Sequence, residues 1–279
     1  MKTAVSFFTF DESTDLKEAM QQCKSAGYDG VELVLTDTGG LNMGISDSGL
    51  ADIKRAADGF GLEIPSIGSW NIWGNNLVSD DPTVAEKGFE IIKKQLYCAA
   101  ALGADTILAI PGYVGTPFFE GKVSYDVAYD RAQAAISKLG EIAKEVKVNI
   151  GVENVWNKFL LSPLEMRNFI DEIGNEYVGA YFDVGNIIYI GYPEQWIRIL
   201  GKRIKKLHFC DYRFEQAGLG AFVDLFEGDV DYFEVMAACK EIGYDDWATV
   251  EFLPNYRRFP YQSIINARLS LDRILEIQA

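Results

Sequence analysis

The chain has 279 residues and four cysteines, and carries a formal net charge of −15 at neutral pH with a pI near 4.5. That length accommodates one large barrel or two ordinary domains, and either would bury a substantial core. So acidic a balance argues against a protein that must neutralise a phosphate backbone, and no stretch approaches the roughly 20 apolar residues of a membrane span.

Cys23, Cys98, Cys210 and Cys239 are scattered with no C-x-x-C pair, which points neither to a zinc knuckle nor to a dense disulfide framework. Reduced thiols in a cytoplasmic protein are the simpler expectation, with Cys210 a buried spectator. The first apolar run, Ala4 to Phe10, is too short for the hydrophobic region of a signal peptide.

In chain order, runs rich in β-branched and aromatic residues predict strands at Ala4 to Phe8, Gly30 to Leu35, Glu63 to Ile67 and Thr106 to Ile110. The second half adds Asn149 to Glu153, Val178 to Asp183, Lys205 to Phe209 and Ala248 to Phe252. Helical patterns separate them. Gly27, Gly61, Gly103, Gly174, Gly201 and Gly243 stand where a left-handed residue would close each helix. Ser162-Pro163-Leu164-Glu165 offers an N-cap serine, a proline at the first helical position and a glutamate three residues on, and Asp231 with Glu234 has the same spacing. The entry Gly27-Tyr28-Asp29 before Val31-Glu32 is echoed by Gly243-Tyr244-Asp245 before Val250-Glu251, a weak internal repeat.

Apolar strands alternating with helices imply a parallel sheet covered on both faces. Eight such units predict an α/β fold, a closed (β/α)₈ TIM barrel forming a single domain over residues 1–279. No G-x-G-x-x-G opens the first helix and no G-x-x-x-x-G-K-[ST] occurs, so nucleotide folds lose their usual signal. The densest basic cluster, Lys202, Arg203, Lys205 and Lys206, reads as a solvated helix end.

Glu153, Asp183, His208 and Glu251 end predicted strands five to eight, and His208 is the only histidine. Polar groups at the ends of apolar strands are costly to desolvate unless paired or bound to a cation, and the C-terminal strand ends of a barrel form its active face. Three carboxylates and one imidazole suit Mn²⁺ or Mg²⁺, with Co²⁺ or Zn²⁺ as alternatives. A cation chelating a carbonyl and its neighbouring hydroxyl would acidify the C–H between them, and Glu153 and Glu251 come from opposite ends of the ligand arc as candidate acid and base. The connections 36–47, 68–82 and 111–124 would wall the opposite side. They carry Trp70, Trp73, Tyr113, Phe118 and Phe119, and Trp156 follows Glu153; these rings would stack on a sugar or pack on the rim.

The segments GVENVWNKFLLSP, YFDVGN, KKLHFCDYR, FEGDVDY and ATVEF resemble the sugar phosphate isomerase/epimerase family with its xylose isomerase-like TIM barrel. Within it they are most similar to ketose 3-epimerases and to L-xylulose-5-phosphate 3-epimerase or hexulose-6-phosphate isomerase types. The resemblance implies a divalent metal on Glu153, Asp183, His208 and Glu251, and proton exchange by the two glutamates through a metal-stabilised cis-enediolate. It also implies a substrate contact from Arg213 and association into homodimers or homotetramers. Many free-sugar epimerases of the family have a histidine three residues after the metal-binding aspartate, where this chain has Asn186. That departure tilts the expected substrate from a free ketose toward a sugar phosphate, with Lys158, Arg213, Arg257 and Arg258 as the nearby basic residues. The same barrel hosts an apurinic endonuclease, which one histidine and this charge disfavour, and an inosose dehydratase, which no residue excludes. A metal-dependent sugar-binding protein without turnover is the third class.

Overall fold

The strands of this chain are apolar on both faces because both faces are covered. In the computed structural model, which describes residues 1–11, 13–251, 256 and 258–277, β2 (Gly30–Leu35) and β6 (Val178–Asp183) are buried along their whole length. With β1 (Lys2–Ser6), β3 (Ser66–Ser69), β4 (Thr106–Ala109), β5 (Asn149–Glu153), β7 (Ile204–Phe209) and β8 (Trp247–Val250) they form a closed parallel barrel in sequential order. Lys2 to Val5 pair with Trp247 to Val250 and complete the closure. Outside lie α1 (Leu16–Ala26), α2 (Asp47–Phe60), α3 (Pro82–Leu102), α4 (Tyr125–Val146), α5 (Pro163–Ile173), α6 (Pro193–Leu200), α7 (Tyr232–Ile242) and α8 (Gln262–Leu275). Among the described residues no helix is long and apolar enough to cross a membrane.

The helix stops follow backbone chemistry. Gly27, Gly61, Gly103, Gly174 and Gly243 adopt the left-handed conformation that a Cβ disfavours. Gly201 departs from expectation: its ψ of −131° lies outside that region, and it opens a 3₁₀ turn leading into β7. At α5, Ser162 accepts from the Glu165 N–H at 3.2 Å while the Glu165 carboxylate accepts from the Leu161 N–H at 2.9 Å. Asp231 caps α7 through the Phe233 and Glu234 N–H groups, but the Glu234 side chain turns to Arg198 instead of closing a box.

Several strand boundaries differ from expectation. β1 starts earlier and Phe7–Thr9 turn into a 3₁₀ helix. β3 begins only at Ser66, since Pro65 has no N–H for the ladder. The expected end of the eighth strand at Phe252 lies outside the described residues.

The basic cluster also corrects expectation. Arg203 makes a forked contact with Asp171 and is partly exposed, but Lys206 is 1% exposed, paired with Asp105 at 2.8 Å and with Asp246. Lys206 precedes His208 by two, so both share one face of β7, and the lysine ties together the residues that lead into β4 and β8.

Candidate metal centre

Strand register brings the four polar ends together. Asp183 pairs with His208 across β6 and β7, and His208 pairs with Thr249 of β8, two residues before Glu251. Glu153 pairs with Tyr181, two residues before Asp183 on the same face of β6. All four side chains are buried, and one potential ligand atom from each lies within 4.8 Å of the others.

The electrostatics of that cluster favour a cation. Burial, followed by the charges of Glu251 and Asp183, holds the Glu153 carboxyl well above the usual range. Burial and the Glu251 charge push Asp183 up to about 7. His208 Nδ1 lies 3.2 Å from Glu251 Oε2 and 3.9 Å from Asp183 Oδ2, yet this buried nitrogen has no hydrogen-bond partner. An imidazole nitrogen facing the carboxylates of Asp183 and Glu251, with Glu153 beside them, is a donor set suited to a divalent metal, and these residues fit one.

Neighbouring side chains fix the donors. His208 Nε2 is 2.9 Å from Glu32 Oε1, so a proton on Nε2 leaves Nδ1 free for a metal. Glu32 Oε2 in turn accepts from Ser66 at 2.6 Å and Tyr181 at 2.7 Å. Burial works against ionisation of Glu32, but the charge and hydrogen bond of His208, helped by Ser6 and Ser66, outweigh it and hold Glu32 at about 2. Asn154 clamps the Asp183 backbone through a 2.9 Å bond from the Asp183 N–H and a 2.8 Å bond to its carbonyl. Cys210, expected to be a spectator, donates its thiol to both Asp183 oxygens at 3.1 and 3.2 Å.

Above the quartet a cavity of about 60 Å³ is lined by Glu153, Glu251, Trp70, Trp73, Trp156 and Asn186, with Phe8 and Phe222 among the further walls. The Asn186 N–H donates to Asp183 at 2.7 Å and its amide nitrogen lies 3.5 Å from Glu153. Trp70 meets Phe8 edge-on, Trp73 packs on Tyr113 and Phe118, and Trp156 touches Tyr212 and Phe222. Lys158 lines a second, outer cavity. Arg213 lines neither; its Nε donates to the Glu227 carbonyl at 2.8 Å. Arg258 is exposed, and Arg257 lies outside the described residues.

Glu32 is the site residue that sequence reasoning missed. The repeat sets Val31-Glu32 beside Val250-Glu251 but did not mark it, because Glu32 lies inside β2 while Glu251 follows the last residue of β8. The long connection after β7 was also unforeseen. There the buried Asp211 accepts from the Tyr212, Phe226 and Val230 N–H groups and folds residues 211–230 against the mouth.

Residues 20–267 match the family model for the xylose isomerase-like TIM barrel. An L-ribulose 3-epimerase of Methylomonas sp. is 25% identical over 244 residues, covering 84% of this chain and 77% of its own length. An inosose dehydratase of Geobacillus thermodenitrificans is 25% identical over 223 residues, covering 71% and 72%. The crystal structure of the IOLI protein with a bound zinc atom shares the fold, with a TM-score of 0.81 at 18% identity over 99% of this chain and 98% of that one.

Proposed function

The chain belongs to the xylose isomerase-like TIM barrel family, and from that premise we propose a divalent-metal-dependent isomerase or 3-epimerase acting on a ketose or ketose phosphate. The observation that carries this reading is the buried quartet, with two glutamates at the ends of its arc and the His208 Nδ1 between them, turned toward the carboxylates. Glu153, Asp183, His208 through Nδ1 and Glu251 would hold the metal, and the oxygen-rich donor set favours Mn²⁺ or Mg²⁺. When bound, a divalent cation polarises a substrate carbonyl and so acidifies the adjoining C–H.

The chain's own residues then move the proton. One of Glu153 and Glu251 removes it, and the C–H electron pair passes into the double bond of an enediolate. The other returns a proton to the opposite face, which inverts the centre. Return to the neighbouring carbon would isomerise the sugar instead. Asn186, beside both Glu153 and Asp183, orients the substrate hydroxyl, while Trp70 and Trp156 cover the apolar face of the sugar and exclude water. For a phosphorylated substrate we assign Lys158 to the anion; Arg213 would have to leave Glu227 to join it.

The inosose dehydratase relative supports a second reading on the same residues, in which proton removal is followed by loss of a β-hydroxyl. Incubation of the metal-loaded protein with ketoses and their phosphates in deuterium oxide separates the two. Deuterium at an epimerised or isomerised carbon is the expected result; products lacking the elements of water would establish the dehydratase instead.

A further inference from the structure

A sugar-sized ligand needs a cavity on the order of 300 Å³ or more, yet the space above Glu153 and Glu251 measures about 60 Å³. A wall of that space therefore has to move when such a ligand reaches the quartet. Of the described residues that line it, only Phe118 and Leu219 are exposed, at 40% and 37%. The others are buried or half-buried.

The two exposed walls are built differently. Leu219 sits on a strap whose base is an antiparallel ladder, residues 211–212 against 222–223. Further bonds hold the strap, from the Arg213 N–H to the Ala221 carbonyl at 2.9 Å and from the Ala221 N–H to the Gly218 carbonyl at 3.1 Å. Phe118 instead sits on a loop between β4 and α4 that is fastened only at its neck. There the Val123 N–H donates to the Val114 carbonyl at 3.1 Å, and the Val114 N–H to the Asn157 carbonyl at 3.0 Å. Asn157 also donates through its side chain to the Gly112 carbonyl at 3.0 Å.

Beyond that neck the chain is loosely tied. Among the described residues, none of 116–122 makes a backbone–backbone hydrogen bond, and residues 117–122 are all exposed. An open recess of about 610 Å³ beside the loop is lined by residues 114–122 and Lys158, with no barrel strand or helix in its wall. What holds the loop to the mouth is the Phe118 ring, which meets Trp73 edge-on at 4.8 Å. Gly115 and Gly121 flank the loop, and Gly121 has a φ of +118° with open space where a Cβ would stand. A short loop with a closed neck, few internal bonds and solvent on its far side opens at little cost.

We propose that residues 115–122 form a gate over the metal quartet, with Phe118 as the moving wall and Gly121 as a hinge. The loop swings out to admit a ligand and returns to shut water out of the site. The neck bonds of Val114, Val123 and Asn157 stay made throughout, so opening breaks little more than the contact of Phe118 with Trp73. The gate rests on the quartet being the centre that ligands must reach.

The test follows removal of Mn²⁺ from the loaded full chain by excess EDTA, alongside the equilibrium affinity for Mn²⁺. The chelator is larger than the cavity and must pass the gate to reach the metal. Phe118→Ala is expected to speed removal about tenfold or more, because no ring then holds the loop to Trp73. Its equilibrium affinity is expected to stay within about twofold of that of the unaltered chain. Leu219→Ala, on the bonded strap, is expected to leave the removal rate alone. Equal rates in Phe118→Ala and the unaltered chain, or equal acceleration in both variants, would overturn the gate. A loss of affinity matching the gain in rate would overturn it too, since that describes a looser metal site rather than a freer path. A second measurement needs no metal: chymotrypsin is expected to cut the native chain after Phe118 or Phe119, and a loop left intact once the chain is cut elsewhere would contradict the gate. A chain that holds no Mn²⁺ would count against the metal reading of the quartet, and the digestion then decides the gate alone.

Discussion

His208 has two ring nitrogens, and the structure gives them different surroundings. Nε2 meets Glu32, while Nδ1 faces the carboxylates of Asp183 and Glu251. Glu32 thereby holds the ring orientation, and a proton on Nε2 shared with it would set the tautomer that frees Nδ1. Glu32→Gln is predicted to weaken metal binding about 10- to 100-fold, measured by chelator competition, with the far-ultraviolet dichroism retained. Unchanged affinity would remove the positioning role. The quartet itself was legible in the chain because each member interrupts an apolar strand at its end. Glu32 was not, since a glutamate in the middle of GVELVL gives no sign that closure of the barrel will bring β2 opposite His208 of β7. Lys206 was hidden for the same reason: its neighbours in sequence are basic, but its partners Asp105 and Asp246 come from the residues that lead into β4 and β8.

At the level of elements, two glycines separate conformational from steric demands. Gly27 closes α1 with φ of +92° and has open space where a Cβ would stand. Gly27→Ala should therefore cost about 1 kcal/mol from backbone conformation alone. Gly185 follows β6, and a Cβ there would lie 2.5 Å from the Cys210 sulfur that donates to Asp183. Gly185→Ala should cost about 1–3 kcal/mol and also weaken metal binding, whereas Gly27→Ala should leave metal affinity alone. Denaturant melts paired with metal titrations check both, and equal metal affinities in the two variants would contradict the assignment. Helix stops were readable because a left-handed cap is a local property of one residue. Gly201 misled because the chain turns directly from α6 into β7 there, and the Lys147 stop was invisible because a lysine carries no such preference.

Across the whole molecule the buried charge of the quartet links stability to pH. The usual Asp and Glu pKa values, near 4, describe the unfolded chain. Folded and metal-free, Glu153 and Asp183 keep their protons to higher pH because burial and mutual repulsion raise them. His208, for which the charges of Glu251 and Glu32 outweigh the opposing effect of burial, is also raised. In each case the folded state binds more protons, so stability falls as pH rises from about 5 to 8. A metal that replaces those protons should raise the melting temperature more at pH 8 than at pH 5. Melts of chelator-treated and Mn²⁺-loaded protein check this, and a metal-free protein more stable at pH 8 than at pH 5 would contradict it. The central claim, that the two glutamates at the ends of a metal-holding arc carry the proton, is tested most directly by deuterium incorporation into a turned-over keto-sugar. The comparison is between the unaltered chain and Glu251→Gln at equal measured metal content. The account predicts incorporation by the unaltered chain and a loss of about 100-fold or more in the metal-replete variant. Exchange at the same rate in both would contradict it.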